Sequence, residues 1–171
     1  QNYANLTVTD LELVDSTEYI QYCLSNNSGN IVLDGTTSIE TDAVAFDVYD
    51  YSAAGYSVPT MTVTTTGTIS GKIEVSDTAT LAISGGIYTV EIAENWCAQG
   101  YIPTKNGDTY GVKVGKYVAQ VGDQKFETLV EAIAAAQDGD TVYLLDNFSG
   151  AGAVIDKNIT IDFGGYTYTF N

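Results

Sequence analysis

Apolar and polar residues alternate along short segments of this chain, and Gly, Asn or Asp closes most segments within a few positions. Alternation with a period of two puts the apolar side chains on one face, so each segment predicts a half-buried β-strand. The predicted strands are residues 6–14 (LTVTDLELV), 30–34 (NIVLD), 61–65 (MTVTT), 72–75 (KIEV) and 80–84 (TLAIS). The chain is therefore expected to be all-β over most of its length.

The predicted strands recur at unequal intervals, with apolar residues Val32, Val63 and Leu81 at comparable positions. Such recurrence is typical of a solenoid in which one loop of each coil varies in length. It favours a right-handed parallel β-helix over residues 1–97, with Thr and Val stacked from coil to coil and Gly or Asn at the corners. Residues 42–59 then form an expanded loop. A β-sandwich, with turns about every 8 to 12 residues, is the alternative.

A β-hairpin is predicted near residues 101–114. Asn106-Gly107 lies at its centre, and this dipeptide supplies the left-handed backbone that a two-residue hairpin turn requires. Pro103 restricts the first arm to an edge strand because proline donates no backbone hydrogen bond. Trp96 and Cys97 come just before, and their apolar surfaces are expected to seal the end of the preceding stack. Residues 98–116 are thus interpreted as a closing hairpin and linker.

One segment has helical periodicity. Thr128 and Glu131 form a capping-box pattern, and Gly139 provides a left-handed stop, so a helix is predicted at about residues 128–137. Its apolar face consists of Leu129, Ala132, Ile133 and Ala136. Because so short a helix is unstable alone, it is expected to cover the first coil of a second β-helix within residues 117–171. The strands predicted for this part are residues 117–122, 141–145, 153–155 and 158–163.

Two segments carry a resemblance to a known family. The sequence ETLVEAIAAAQDGDTVYLLDN (residues 127–147) followed by KNITIDFGGYTYTFN (157–171) resembles the N-terminal cap and first coil of pectin-lyase-like right-handed parallel β-helix domains. The matching residues are Ala132-Ile133, Ala135-Ala136, Gly139-Asp140-Thr141-Val142 and Asn158-Ile159-Thr160-Ile161-Asp162. Residues 79–90 and 95–112 are similar to the terminal coil and closing hairpin in large cell-surface proteins of Gram-positive bacteria. The resemblance covers about half the chain.

What the resemblance implies is an architecture and a location. It implies β-helix modules of a secreted, adhesin-like protein exposed on a bacterial cell surface. Some surface proteins of similar appearance bind host immunoglobulin, so the implied partner is a host surface or secreted protein, or a glycan. The motifs are specific for the fold and say little about the ligand.

The charge of the chain excludes several partners. The 22 acidic residues against six lysines give a formal net charge of −16, and the chain has no His. Nucleic acids are excluded because neutralising phosphates requires clustered cations, and anionic membrane surfaces are excluded for the same reason. No apolar run reaches the length of a membrane span, so no membrane insertion is expected. Any signal peptide or anchor is expected to lie outside this chain.

The two cysteines, Cys23 and Cys97, lie far apart in the sequence and lack a CxxC pairing. This spacing excludes the usual zinc and thioredoxin-like motifs. The sequence leaves two alternatives, a disulfide between Cys23 and Cys97 or two free thiols, because spacing alone does not establish the Cα separation that a disulfide needs.

Catalytic chemistry has little support in the sequence. Polysaccharide lyases of the resembled fold would require a basic residue, often Arg, and its hydrolases combine aspartates with His; this chain has neither Arg nor His. A carboxylate pair alone could still act as acid and base. The candidates are Asp10, Glu12, Asp15, Asp140, Asp146, Asp156 and Asp162, at turns or on wet strand faces. We therefore predict no catalytic residue and no enzymatic activity.

No metal-binding motif or cofactor is predicted either. The chain lacks the spaced aspartates and glycine of an EF-hand loop. A Ca²⁺ site assembled from stacked coils would leave no local signature, so the sequence leaves Ca²⁺ binding as an alternative.

Tyrosines form the most plausible functional surface. Tyr49, Tyr51 and Tyr56 lie in the predicted loop, with Asp47 and Asp50 beside them. Tyrosine offers a large contact area at a low cost in rotamer entropy, which suits recognition of protein or sugar. These five residues are the predicted binding site. The alternative is that the rings only close the loop over the coil beneath.

The sequence thus favours a non-catalytic, host-protein- or glycan-binding segment of a secreted bacterial surface protein. A β-helix enzyme of the polysaccharide lyase or hydrolase type is one alternative, and a structural spacer is the other.

Overall fold

A computed structural model describes residues 1–15 and 21–171. The chain divides into two compact units, Gln1–Val114 (unit 1) and Gly115–Asn171 (unit 2). The described residues form mainly parallel β-sheets together with one α-helix, so the predicted all-β class is confirmed.

The described residues of unit 1 form short strands and two 3-10 turns, Ser52–Ala54 and Glu94–Trp96. Its strands are β1 (Leu6–Thr9), β2 (Glu12–Val14), β3 (Tyr22–Asn26), β4 (Asn30–Asp34), β5 (Ser38–Val48), β6 (Thr60–Val63), β7 (Thr68–Val75), β8 (Thr80–Ile83), β9 (Ile87–Tyr88), β10 (Tyr101–Asn106) and β11 (Thr109–Val114).

The strands of unit 1 form two sheets, and the chain passes repeatedly from one sheet to the other. The first sheet has the order β1-β4-β6-β8, and all its pairs are parallel. In the second sheet β2, β5, β7 and β9 are parallel neighbours, and β3 also pairs with β5. The β10–β11 hairpin joins this sheet through an antiparallel contact between β11 and β9.

Register places like residues above one another in the first sheet. One row is Leu6, Ile31, Met61 and Leu81, and another is Val8, Leu33, Val63 and Ile83. Ile31, Leu33, Val63 and Ile83 have no exposed surface. Burying a side chain of this size contributes about 1.5–3 kcal/mol, so these rows are a main source of the stability of unit 1.

The sequence interpretation gave Val32, Val63 and Leu81 comparable positions, but they lie in three different rows, since Val63 pairs with Ile83 and Leu81 with Met61. Val32 pairs with Thr62 rather than with Val63, and it is only half-buried. In the run Ile31-Val32-Leu33 the alternation is hidden because all three residues are apolar, and the buried positions are the outer two.

At two corners of unit 1, a glycine packs closely on a threonine from the preceding turn of the chain. The buried Thr65 hydroxyl donates to the carbonyl oxygen of Thr37 at 2.7 Å and accepts from the Gly67 N–H at 2.9 Å. Gly67 packs on the Thr37 carbonyl so closely that a Cβ would lie 2.3 Å from its oxygen. Gly85 packs on Thr65 in the same way, with a corresponding distance of 2.6 Å. We call these pairs the threonine–glycine corners.

The hairpin predicted near residues 101–114 is present. β10 and β11 pair antiparallel around a turn in which Gly107 is left-handed, with φ of 63°. Pro103 lies in β10, which is an edge strand, as expected. The preceding Cys97 forms a parallel bridge with Ile83 of β8, and Trp96 packs against the core of unit 1. These contacts cover part of the exposed edge of β8.

Unit 2 contains six strands among its residues and the helix α1 (Leu129–Ala135). The strands are β12 (Ala119–Val121), β13 (Gln124–Phe126), β14 (Thr141–Leu144), β15 (Phe148–Gly150), β16 (Thr160–Asp162) and β17 (Tyr168–Phe170). One sheet has the order β13-β12-β14-β16, and β15 pairs parallel with β17. The strand predicted at residues 153–155 is wrong: this segment has no strand, and Val154 is 86% exposed.

Helix α1 begins as the sequence predicted. The Thr128 side chain accepts from the Glu131 N–H, and the Glu131 carboxylate accepts from the Thr128 N–H, which completes the capping box. The helix ends at Ala135, two residues earlier than predicted, and Gly139 is left-handed. Its buried face packs with residues of β12 and β14, namely Ala119, Val142 and Leu144.

Lys157 caps the other end of α1. Its Nζ donates to the carbonyl oxygens of Ala134 at 2.7 Å, Ala136 at 2.8 Å and Ile133 at 3.3 Å. These carbonyls lack intrahelical partners, and a cation at this end also complements the helix dipole. The lysine therefore holds the segment after β15 against the helix.

We expect Lys157→Met to destabilise α1 by about 1–2 kcal/mol, because three carbonyls lose their donor. Amide hydrogen exchange in residues 129–135 should accelerate by about tenfold. The matched control is Lys116→Met, which removes an exposed ion pair with Asp146 (Nζ to Oδ2, 2.7 Å) and should change exchange little. Equal exchange rates in both variants would contradict the capping role.

Candidate functional site

Four tyrosine rings form an exposed cluster in unit 1. Tyr51 contacts Tyr49, Tyr56 and Tyr3 with ring centroids 6.1, 6.0 and 6.5 Å apart, and Tyr3 contacts Tyr56 at 4.8 Å. All four rings are between 41% and 50% exposed. Tyr49, Tyr51, Tyr56 and Tyr3, here called the tyrosine cluster, thus present aromatic surface to solvent while holding one another in place.

The loop that carries this cluster is shorter than the sequence suggested. The prediction of a loop over residues 42–59 is wrong for residues 42–48, which belong to β5. There Val44, Ala45, Phe46 and Val48 are buried. Register shifts between Glu40 and Phe46 mark a bulge, and the bulge breaks the alternation that would have revealed the strand. The loop begins at Tyr49.

Local geometry positions the rings. Tyr49 directly follows β5, and its N–H donates to the carbonyl of Asn26 at 2.9 Å. Tyr51 precedes the 3-10 turn Ser52–Ala54, and Gly55 ends this turn in the left-handed conformation with φ of 90°. The reversal at Gly55 returns Tyr56 to Tyr51.

An open groove of about 530 Å³ lies beside the cluster. It is lined by Gln1, Tyr3, Gln21, Tyr22, Ser25, Asn27, Val44, Asp47, Tyr49, Tyr51 and Glu74. Of the predicted binding residues, Tyr49, Tyr51 and Asp47 line the groove, and Tyr56 joins it through its contacts with Tyr3 and Tyr51. The groove combines aromatic rings, side-chain amides and carboxylates.

Two carboxylates occupy neighbouring strands in the groove. Ser25, Asp47 and Glu74 are register partners on β3, β5 and β7. Cα atoms at such positions in neighbouring strands are about 5 Å apart, so Asp47 and Glu74 project side by side. The Oδ1 atom of Asp47 is buried and has no hydrogen-bond partner.

The environment of Asp47 disfavours its negative charge. Burial is the largest cause and raises the pKa of this carboxyl, and the Glu74 carboxylate raises it further. The Ser25 hydroxyl, the backbone and, least of all, the α-amino group of Gln1 act in the opposite direction. The net effect is a pKa above the ordinary value of 3.8.

Asp50, the fifth predicted binding residue, is held by hydrogen bonds. Its carboxylate accepts hydrogen bonds from the Ser52 N–H at 2.8 Å and from the Thr78 hydroxyl. These bonds, that of Thr78 foremost, lower the pKa of Asp50. Asp50 is thus engaged in the turn that supports the tyrosine cluster, and it is not among the groove-lining residues.

Both cysteines are free thiols in the structure. Burial is the main cause that raises the pKa of each, with a further contribution from Asp15 at Cys23 and from Glu94 at Cys97. A raised pKa keeps a thiol protonated and weakly nucleophilic.

The acidic residues proposed as catalytic candidates mostly serve turns. Asp10 accepts from Thr36, Asp15 from Thr41, Asp140 from Gln137, Asp146 from Lys116 and Asp162 from Gly164. Glu12 and Asp156 are exposed. Within residues 1–15 and 21–171, no three acidic or thiol side chains converge in a way that could hold a metal ion.

No protein-family model, curated protein or solved structure matches this chain. The helices in the described part of the chain are too short or too polar to cross a membrane. Fold and site together define an all-β protein of parallel sheets that carries an aromatic and acidic groove.

Proposed function

We propose that this chain is a non-catalytic binding segment of a secreted bacterial surface protein, and that the groove and the tyrosine cluster contact its partner. The single observation that carries the proposal is four tyrosine rings gathered at the surface beside a groove. Clustered exposed aromatic surface is unfavourable in water and is enriched where proteins bind partners. A host protein, such as an immunoglobulin, or a glycan is the proposed partner.

The finer architecture that we propose is a right-handed parallel β-helix. In unit 1 the chain alternates between two parallel sheets, and the rows of like residues support this interpretation. In unit 2 the parallel pairs β14–β16 and β15–β17 also alternate along the chain. Residues 1–97 would then be coils of one module, 98–116 its closing hairpin, and 117–171 the cap and first coil of a second.

Tyrosine replacement tests the binding role. Tyr49→Ala and Tyr51→Ala should each weaken binding by about tenfold, because an exposed ring at a contact centre contributes about 1–2 kcal/mol. The measurement is affinity for ligands found by screening the chain against host proteins and glycan arrays. Thermal unfolding should change little, since the rings are half-exposed.

The matched control for these variants is Tyr143→Ala, on a ring that is 47% exposed in unit 2 and outside the tyrosine cluster. It should leave binding unchanged. Unchanged binding in the cluster variants, or loss of folding in place of binding, would overturn the proposal. A chain that binds none of the screened ligands would favour a structural spacer.

The paired carboxylates favour a second candidate function, a polysaccharide-active enzyme. Retaining glycosidases hold two carboxyl groups about 5 Å apart, and Asp47 and Glu74 are register partners on neighbouring strands. Turnover of a polysaccharide that disappears in Glu74→Gln would support this candidate. Binding without turnover supports the non-catalytic segment.

A further inference from the structure

The groove has an unusual charge balance. Asp47 and Glu74 contribute two carboxylates, and none of the described residues that line the groove is a lysine. Lys72 comes two residues before Glu74 on β7, opposite Val44, but it is not in that lining. Among the described residues, no lysine side chain contributes to the shifted pKa of Asp47. The groove therefore holds negative charge without a side-chain cation to balance it.

The hydrogen bonding of the Asp47 carboxylate is incomplete. The Ser25 hydroxyl lowers the pKa of Asp47, but it is also 2.5 Å from the Asn27 Oδ1, to which it donates. The buried Oδ1 of Asp47 has no partner. Asp47 is half-buried, and a partly desolvated carboxylate is stabilised by a nearby cation, so a ligand that brings a positive charge into the groove would be preferred.

The surrounding rings are suited to the same kind of ligand. The faces of Tyr3, Tyr49 and Tyr51 carry negative electrostatic potential, which attracts ammonium and guanidinium groups. The methylene stem of a lysine or arginine packs on aromatic surface while its head reaches a carboxylate. A neutral sugar also stacks on tyrosine, but its hydroxyls bring no charge to offset Asp47 and Glu74.

We propose that the groove binds lysine or arginine side chains presented by a basic segment of a partner protein, with Asp47 and Glu74 as the charge partners and the tyrosine cluster as the apolar wall. This inference rests on the proposed function and selects a protein over a glycan as the partner. The net charge of −16 would also attract such a segment from a distance.

A peptide titration tests this inference. The probe is an eight-residue peptide of alternating lysine and glycine, and its counterpart with acetylated lysines keeps the shape without the charge. The basic peptide should bind at least about tenfold more tightly than the acetylated one. Asp47→Asn and Glu74→Gln should each weaken its binding by about tenfold or more. A neutral oligosaccharide that binds the groove better than the basic peptide would overturn the inference.

The control separates the groove from the overall charge. Glu91→Gln removes one exposed carboxylate of unit 1 that is not a groove residue, so it should leave affinity within about twofold. Equal effects of Asp47→Asn and Glu91→Gln would show that only net charge attracts the peptide, which overturns the inference.

Failure of this inference is distinguishable from failure of the proposed function. If Tyr51→Ala abolishes binding of a screened host ligand but Asp47→Asn does not affect it, the binding function stands. The inference that the groove binds lysine or arginine side chains is then wrong. If neither variant affects any ligand, both are wrong.

The pH dependence has a defined direction. The raised pKa of Asp47 means that the folded chain binds this proton more tightly than the unfolded chain does. The unfavourable contribution of the ionised carboxyl to folding is therefore absent at low pH and develops as pH rises through the folded-state pKa. Asp47→Asn should thus unfold at the same or a higher temperature than the natural chain at pH 7, although it binds the peptide more weakly.

Binding of the peptide should follow the opposite trend, weakening as pH falls, because a protonated Asp47 no longer attracts a cation. The loss should begin at a higher pH in the natural chain than an ordinary aspartate would give, and in Asp47→Asn this part of the pH dependence should disappear. A lowered unfolding temperature in Asp47→Asn, together with an unchanged pH dependence of peptide binding, would overturn the assignment of Asp47 as a charge partner.

Discussion

Gly67→Ala is expected to destabilise unit 1 by about 3 kcal/mol or more, although it adds only one methyl group. The new Cβ would lie 2.3 Å from the Thr37 carbonyl oxygen and 2.7 Å from that of Thr36. Both are backbone atoms, and Thr37 is also held by the Thr65 hydroxyl at 2.7 Å. The threonine–glycine corner therefore cannot widen without losing its hydrogen bonds.

The measurement is thermal and urea unfolding followed by the fluorescence of Trp96, the one tryptophan of the chain, which packs on the core of unit 1. A loss of this size should lower the unfolding temperature by roughly 10–20 °C. Gly85→Ala repeats the test at the second corner, where the Cβ would lie 2.6 Å from the Thr65 carbonyl oxygen. It should be less damaging than Gly67→Ala.

Gly152→Ala is the control, since its new methyl group would meet nothing nearer than a Phe170 ring carbon at 3.9 Å. Circular dichroism should show an unchanged transition for this variant. An unfolding temperature of Gly67→Ala close to that of the natural chain would show that the corner yields, and our account of it would be wrong.

Asn26→Asp should destabilise unit 1 by about 3 kcal/mol or more at pH 7, although the two side chains have the same shape. Asn26 is completely buried, and its Nδ2 donates to the carbonyl oxygen of Thr60 at 2.8 Å and to that of Gly29 at 3.4 Å. Its Oδ1 accepts from Asn2 at 2.9 Å. A carboxylate would direct an acceptor at those carbonyl oxygens and leave its own charge buried.

Acid should rescue this variant. A protonated carboxyl regains a donor for the Thr60 carbonyl, so the folded state raises the pKa of the introduced group above its unfolded value. Its contribution to stability is then favourable below the unfolded pKa and is lost as pH rises through the folded pKa. Urea unfolding should show that Asn26→Asp is much less stable than the natural chain at pH 7. Near pH 4 the difference in the free energy of unfolding should be smaller.

The exposed Asn106 of the hairpin provides the control, because Asn106→Asp makes the same charge change at a position where Asp-Gly also suits the turn. It should change stability by less than about 0.5 kcal/mol. Similar losses in Asn26→Asp and Asn106→Asp would show that added charge, rather than the buried amide, is responsible.

Local signals predicted much of the fold. The alternation at residues 30–34 and 80–84, the capping box of Thr128 and Glu131, and the Asn106-Gly107 turn each specify their own geometry within a few residues. Where the alternation was hidden, the prediction failed. The all-apolar run at Val32 and the bulged β5 both lack the period that would reveal which side chains face inward.

The candidate site could be predicted only in part for a related reason. Tyr49, Tyr51 and Tyr56 are close in sequence, so their grouping was evident. Glu74 and Tyr3 belong to other turns of the chain, and the pairing of strands brings them to Asp47 and Tyr51. No local pattern encodes the register between distant strands, so the paired carboxylates and the fourth ring were not predicted.

The unequal spacing of the stacked rows has a practical consequence for protein engineering. Ile31 pairs with Met61, and Met61 pairs with Leu81. The chain between Ile31 and Met61 is ten residues longer than the chain between Met61 and Leu81. The additional chain length includes the segment between Tyr49 and Pro59, whose residues other than Pro59 lie outside the buried core. Foreign peptides inserted beside Gly55, where a Cβ would meet no atom within 4 Å, should be displayed without disturbing the register of either sheet.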